Sequence, residues 1–394
     1  MKNKYFIFVP AAVFIFMQFF SCNFFHAIYG SKTQETAETE IPEQKEEPVR
    51  YNLTLIAAGD NLFHETIIRT HKQDDNYNFA PIYTEIKSLI EKADIAFINQ
   101  ETVMAGESFG YSGYPTFNTP QSLAQTLADT GFDIVNQANN HAMDMERAGL
   151  HATLDLWDTI EGITVIGARK TGENHYIITK NNITLGFLSY TYGLNGFVLP
   201  AGEPNLVSLI NRDRIAREIN TLRPLCDFLI VSVHWGEEYF LEPDPFQKNL
   251  ALFFAEHNVD LIIGHHPHVL QPVVSLDRRD GKKTLCFYSL GNFVSNQREK
   301  ERILGAMMLV TFTKIDSDNL HNNLFISNSG LIPVVCHFES GFTNTKVYPL
   351  YAYTQELLEK HYLRRIDSGM NFDFFKTMLN NLGTKMIMHN PMIN

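Results

Sequence analysis

From about residue 51 to residue 300, short apolar runs alternate with amphipathic segments, and many of the runs end abruptly in polar side chains. "LTLIAAGD" (53–60), "DIAFINQE" (94–101), "FDIVNQANNH" (132–141), "CDFLIVSVHWG" and "VDLIIGHHPH" read as strands. Residues 80–93 and the segments "ERAGLHATLDLWDTIEG", "SLINRDRIAREINTLRPL" and "FQKNLALFFAEHN" read as helices. In "TPQSLAQTLADTG", Thr119 is the expected N-cap and Gly131 the stop. "YIITKNNITLGFLSYT" predicts a hairpin turning at Asn181-Asn182. Strand–helix alternation of this kind predicts an α/β protein. Strands that are apolar throughout predict a sheet covered on both faces. From about 303 the pattern changes: "ILGAMMLVTFTKI" and "NSGLIPVVCHFESG" read as antiparallel strands and 354–382 as helical. The expected organisation is a main domain at 51–300, a β-rich completion of its core at 301–352 and a small helical extension at 353–394.

Each strand delivers chemistry at its C-terminal end. The first ends in Asp60, with His64 four residues on, and the second in Glu101. The third delivers Asn139, Asn140 and His141. "FLIVSVHWGEEY" delivers His234 with Glu237 and Glu238 behind it, "GHHPH" delivers His265, His266 and His268, and "TLCFYSLGN" delivers Asn292. In open α/β sheets the ligand crevice lies at the carboxyl ends of the strands, so these residues are expected to converge. Pro267 fixes the backbone between His266 and His268, which suits holding two imidazoles in place. Carboxylate, amide oxygen and imidazole together make a mixed nitrogen and oxygen donor set. It suits Zn, Mn or Fe, whereas Ca and Mg prefer oxygen alone. Two ions need a bridging carboxylate, for which Glu101 is the candidate. A histidine left off the metal could protonate a leaving group.

The net charge of −12 excludes a general nucleic-acid binder, which usually presents a basic face. Lys2 and Lys4 precede an apolar run at 5–20 that is short for a membrane span, and "FFSC" follows. Residues 1–22 are therefore expected to be an export signal with a lipobox-like Cys22 as the lipidation site. Residues 23–50 are expected to be a disordered acidic tether, because so polar a stretch cannot offset its ordering entropy. Cys226, Cys286 and Cys336 are expected to be buried thiols.

"AAGDNLFH", "NQET", "NQANNHAMD", "HWGEEY", "GHHPHVLQP" and "YSLGNF", in that order over about residues 52–300, resemble the signatures of the CapA family, the poly-γ-glutamate capsule synthesis proteins. That family is similar in fold to the calcineurin-like metallophosphoesterases. The resemblance implies a four-layer α/β/β/α sandwich with its site at the strand ends and two divalent ions. It implies Asp60, Glu101, Asn140, His234, His266 and His268 as metal ligands. His141 is implied as general acid, with Asp144 as its acidic partner. The usual histidine two residues after the first aspartate is replaced by Leu62, and His64 is the displaced candidate. Glu101 stands where the bridging residue is usually Asp. Asn139, Glu238, His265 and Asn292 are expected to meet substrate.

The resulting expectation is an exported, membrane-tethered protein acting in synthesis, export or anchoring of an anionic γ-glutamyl polymer or on cell-wall material. Its centre would be metal-dependent and hydrolase-like, and its partners a capsule-synthesis membrane complex and no nucleic acid. An extracytoplasmic metallophosphatase or phosphodiesterase, and a non-catalytic polymer- or partner-binding lipoprotein, are the alternatives.

Overall fold

Burial alternates along the first strand. Leu53, Leu55 and Ala57 join one apolar cluster, and Ile56 and Ala58 join another. A strand places successive side chains on opposite faces, so this strand is covered on both sides. The computed structural model describes residues 48–317 and 320–387. The proposed signal at 1–22, Cys22 and nearly all of the tether lie outside them. Residues 49 and 50, the end of the expected tether, already belong to the first strand.

In chain order the strands are β1 (Val49–Asn61), β2 (Lys72–Gln73), β3 (Asn76–Tyr77), β4 (Ile95–Gln100), β5 (Ile134–Asn136) and β6 (Thr164–Ile166). They continue with β7 (Tyr176–Lys180), β8 (Ile183–Thr191), β9 (Phe228–His234), β10 (Leu261–His265), β11 (Leu270–Asp277) and β12 (Lys283–Leu290). The last are β13 (Asn292–Val294), β14 (Leu304–Ser317), β15 (Leu320–His337) and β16 (Lys346–Pro349). One sheet runs β16-β15-β14-β1-β4-β5-β6, with β13 added beside β1, and the other runs β11-β12-β10-β9-β8-β7.

In the first sheet β1, β4, β5 and β6 are parallel, and β14 closes antiparallel on the other edge of β1. In the second, β8, β9, β10 and β12 are parallel, and the edge strands β7 and β11 are antiparallel. Leu55, Phe97 and Ile134 from the first sheet share one core with Phe187, Ile230, Ile263 and Phe287 from the second. Outside the first sheet, Ile56 and Ile98 pack with Ile82, Leu123 and Leu127. Outside the second, Leu229 and Val231 pack with Ile215, Ile219, Leu250 and Phe254 of two helices. The order helix, sheet, sheet, helix is the expected four-layer α/β/β/α sandwich. Each fully buried Leu, Ile or Phe in it contributes about 1.5–3 kcal/mol.

Local chemistry sets the joints. Asn181 and Asn182 take φ of 51° and 58° and turn the β7–β8 hairpin. Asn tolerates this left-handed region, and a two-residue turn with both central φ positive matches the strand twist. Asp244 and Gln247 form a capping box at the start of the helix Pro245–Glu256. Other expectations need correction. Residues 80–93 form two short helices, Ala80–Tyr83 and Lys87–Ile90, not one. The helix Ser122–Thr130 has Gln121 as its N-cap, and the Thr119 hydroxyl pairs instead with that of Thr102 at 2.7 Å. Cys226 is half-buried, while Cys286 and Cys336 are buried, all as free thiols.

The segment after 353 forms three short helices whose Leu358, Leu363, Phe375 and Leu379 enter the core between the sheets. The extension thus adds to the core between the sheets.

Gly264 in "GHHPH" is required by close approach. A Cβ there would lie 2.0 Å from the Tyr288 carbonyl oxygen on the adjacent β12. Gly264→Ala is expected to destabilise the protein by about 3 kcal/mol or more, since the β12 backbone at Tyr288 and the Trp235 indole must move. A urea-denaturation midpoint unchanged by this substitution would disprove the packing argument.

Candidate metal centre

The parallel strands of both sheets end on the same side of the sandwich. Pairing of β1 with β13 through Asp60 and Asn292 brings the two sheets together there. Asp60, Glu101, His234, His265 and Asn292 are completely buried, and Asn139, Asn140, His141, Asp144, His266 and His268 nearly so. One Asp60 oxygen accepts a hydrogen bond from Asn99 at 2.8 Å and the other lies 3.1 Å from His268 Nδ1. Glu101 Oε1 lies 3.4 Å from His234 Nε2 and 3.6 Å from His268 Nε2. His234 Nε2 is 2.9 Å from the Asn140 amide oxygen.

Ligand-type atoms gather in three overlapping triads, each within 4.8 Å: Asp60, Glu101 and His268; Glu101, His234 and His266; and Glu238, His266 and His268. Glu101 belongs to the first two, the placement a bridging carboxylate needs.

The donors are also unusually bare. Both Glu101 oxygens, both His265 ring nitrogens and His266 Nδ1 are buried with no hydrogen-bond partner among the described residues. Buried polar atoms are nearly always paired, and an unpaired one costs about 1–3 kcal/mol. Several in one cluster of carboxylate and imidazole fit a divalent cation. The backbone carries a further cost. His266 and His268 have φ of 100° and 58°, and Tyr239, whose amide donates to the Pro267 carbonyl at 2.8 Å, has φ of 71°. Non-glycine residues in that region cost about 1–3 kcal/mol each and cluster at functional sites.

Electrostatics follow from burial. Burial pushes the Glu101 carboxyl up to about 8 and holds His234 and His266 well below the usual imidazole range. Burial also works against ionisation of Asp60, but the imidazoles of His265 and His268 overcome it and hold the carboxyl well below its usual range. For His268 burial favours the neutral ring, yet Glu101 and Asp60 together push it up to about 9. A cation must displace the protons on Glu101 and His268. Metal uptake is therefore expected to release protons and to strengthen as pH rises toward 9. Calorimetry in buffers of different ionisation enthalpy reads this directly. A buffer-independent heat and a flat pH dependence would refute it.

Beside the triads, His141 Nδ1 is 2.7 Å from Asp144 Oδ2, which also accepts the Phe117 amide at 2.7 Å. The His141 ring stands edge-on to Phe117 with centroids 4.7 Å apart. Asp144 thus fixes Nδ1 and leaves Nε2 to hold or release a proton. Glu238 lines an open cleft of about 690 Å³ with Tyr192, Glu237, Tyr239, Asp244 and His266. The cleft lining holds three carboxylates and neither Lys nor Arg.

Several expected roles shift. His64 enters none of the triads. It sits at the start of a helix with Nδ1 3.2 Å from the Leu62 carbonyl and its ring against Phe117, and burial pulls its pKa down to about 4. Asn139 faces inward: its Nδ2 donates to the Gln100 carbonyl at 2.8 Å and its Oδ1 accepts the His141 amide. The Asn292 amide oxygen lies 3.0 Å from His268 Nδ1 and so holds that ring in place. His265 is sealed between Asp60 and Phe97.

Sequence reading missed Asn99 and Asn136, which form a chain behind Asp60, with Asn136 donating to Asn99 at 2.8 Å. It also missed Asn195, which accepts from Asn140 at 3.2 Å, and Tyr192, whose ring lies 4.7 Å from that of His266. Asn99 sits in an otherwise apolar strand and was a readable signal. Asn195 and Tyr192 lie in a loop with no periodicity.

The protein is thus a four-layer α/β/β/α sandwich with carboxylates and imidazoles clustered at its strand ends. The model of the bacterial capsule synthesis protein PGA_cap family matches residues 54–297, and the chain belongs to that family. It is 31% identical over 184 residues to the PGA biosynthesis protein CapA of Bacillus subtilis (strain 168), covering 45% of this chain and 47% of that one. It is 32% identical over 187 residues to the capsule biosynthesis protein CapA of Bacillus anthracis, covering 45% and 43%. The chain thus spans about half the length of the curated relatives it matches. A solved putative 5'-nucleotidase from Staphylococcus aureus is 15% identical with a TM-score of 0.45, covering 72% of this chain and 54% of that one. That likeness is too loose for any residue role to be taken from it.

Proposed function

We propose that this protein works at the extracytoplasmic face of the membrane, tethered through Cys22 or the N-terminal segment. There it acts on an anionic γ-glutamyl polymer in capsule synthesis, export or anchoring. The observation that carries the catalytic part of this reading is the pair of triads sharing a bare, buried Glu101 beside the His141–Asp144 pair. Asp60, Glu101 and His268 would hold one divalent ion, and Glu101, Asn140, His234 and His266 a second. Such ions supply Lewis acidity and water activation. The chain's own residues do the rest. Asn99 and Asn292 orient Asp60 and His268. His141 carries a proton to or from the reacting group, and Asp144 holds its ring for that transfer. The buried floor of the cleft keeps bulk water from the donors.

The test is metal content. The purified chain, stripped and then reconstituted with Mn, Zn or Fe, is expected to hold close to two ions. Fewer than about a tenth of an ion per chain would overturn the metal centre, because a site this bare binds tightly once deprotonated. Capsule restoration in a deletion strain by a metal-binding-deficient His266→Ala, His268→Ala protein would remove the catalytic reading and leave a binding role.

A further inference from the structure

The lining of the candidate cleft offers an anionic chain neither Lys nor Arg. Three arginines, Arg169, Arg214 and Arg217, line a separate cavity of about 330 Å³ together with Asn174, His175 and Glu218. Arg169 follows the C-terminal end of β6, and Arg214 and Arg217 lie on the helix Arg212–Leu222 that follows β8. The cavity therefore belongs to the same end of the sandwich as the metal centre. Its floor reaches toward that centre through hydrogen bonds. Asn174 Nδ2 donates to the Ser189 carbonyl at 3.0 Å, and the Ser189 hydroxyl donates to Asn136, in the chain behind Asp60.

The pairing of charges in the cavity is incomplete. Glu218 is fully engaged, accepting from Arg214 Nε at 2.7 Å, from the Tyr190 hydroxyl and from Asn174 at 3.3 Å. Glu173 faces His175 at 3.3 Å. Arg169 is half-buried and makes no ion pair among the described residues. Its Nε donates to the Gly172 carbonyl at 2.9 Å and its Nη1 reaches the Ser208 hydroxyl at 3.4 Å. Arg217 is exposed and has no side-chain partner among the described residues. Burial and the neighbouring Arg214 pull Arg169 down to about 10, with Glu218 and Glu173 offsetting only part of that pull. A partly desolvated guanidinium without a counter-ion is costly, and its planar fork matches a carboxylate in two hydrogen bonds.

We propose that the Arg169, Arg214 and Arg217 cavity is a carboxylate-binding exosite that grips the anionic chain while its reacting bond lies at the Glu101 cluster. This rests on the polymer reading above.

Binding of a short, fluorescently labelled γ-linked glutamate oligomer to the full chain tests it, together with thermal shifts in glutarate and in inorganic phosphate. Arg169→Gln and Arg217→Glu are each expected to weaken oligomer binding about tenfold. They should also flatten its salt dependence and abolish the glutarate shift. Circular dichroism checks that Arg169→Gln is folded, and the exposed Arg217→Glu carries the test if it is not. Oligomer binding unchanged in both variants overturns the exosite. So does the lack of an Arg169-dependent response to any of the three anions. An Arg169-dependent glutarate shift without oligomer binding supports the cavity and overturns the polymer reading. A shift with phosphate and none with glutarate overturns the carboxylate assignment.

Discussion

Glu101→Gln is expected to raise the melting temperature of the metal-free protein while lowering its affinity for divalent metal by about 100-fold or more. Glu101 is completely buried and both its oxygens lack hydrogen-bond partners. Burial holds its proton up to about 8, against an ordinary value of 4.5. The unfolded chain therefore ionises this group first. Between about 4.5 and 8 the native state binds the extra proton, so the wild-type metal-free protein loses stability as pH rises through that window. Gln keeps the shape and removes the titration, so its advantage should grow over the same range. A gain of about 2 °C near neutral pH is a reasonable size for a chain this long. A variant that melts lower and still binds two ions would show that Glu101 is a structural carboxyl and not a shared ligand.

Asp144→Asn is expected to leave metal content intact and to lower the proposed turnover of a γ-glutamyl polymer by about 100- to 10,000-fold. Asp144 is buried and joins His141 Nδ1 to the Phe117 amide. Asn can still accept from Phe117 through its oxygen. That same oxygen can also accept from Nδ1–H, as Asp144 Oδ2 does for both groups, but Asn carries no charge to stabilise the imidazolium formed when Nε2 takes up a proton. Because the two residues act as a unit, His141→Ala with Asp144→Asn should be little worse than His141→Ala alone. Loss of metal from Asp144→Asn, or additive losses in the double variant, would place this pair in support of the metal site and not in proton transfer.

Both expectations concern residues that the sequence exposed unequally. Asp60, Glu101, His234 and the "GHHPH" imidazoles were legible because strands deliver side chains at their carboxyl ends and a polar residue ending an apolar run is conspicuous. The α/β alternation was legible for the same reason, since periodicity is a local property. Asp144 was found through the family resemblance, and its 2.7 Å contact with His141 depends on the turn that precedes the helix Glu146–Trp157.

The sequence by itself determined the α/β alternation with covered sheets, the order of the donors along the chain and the chemical nature of the cluster, and the four layers followed from the family resemblance. Only the tertiary structure decided which donors share a space. It turned His64 aside onto Phe117, faced Asn139 and Asn292 inward as supports, and brought Asn195 and Tyr192 in from an aperiodic loop. It also left Arg169 with no ion pair among the described residues, its guanidinium bonding the Gly172 carbonyl and the Ser208 hydroxyl instead. The physical reason is that local pattern fixes which face of a strand a residue occupies, whereas the direction of a side chain at a strand end is set by whichever partners the packed sheets bring within hydrogen-bond reach.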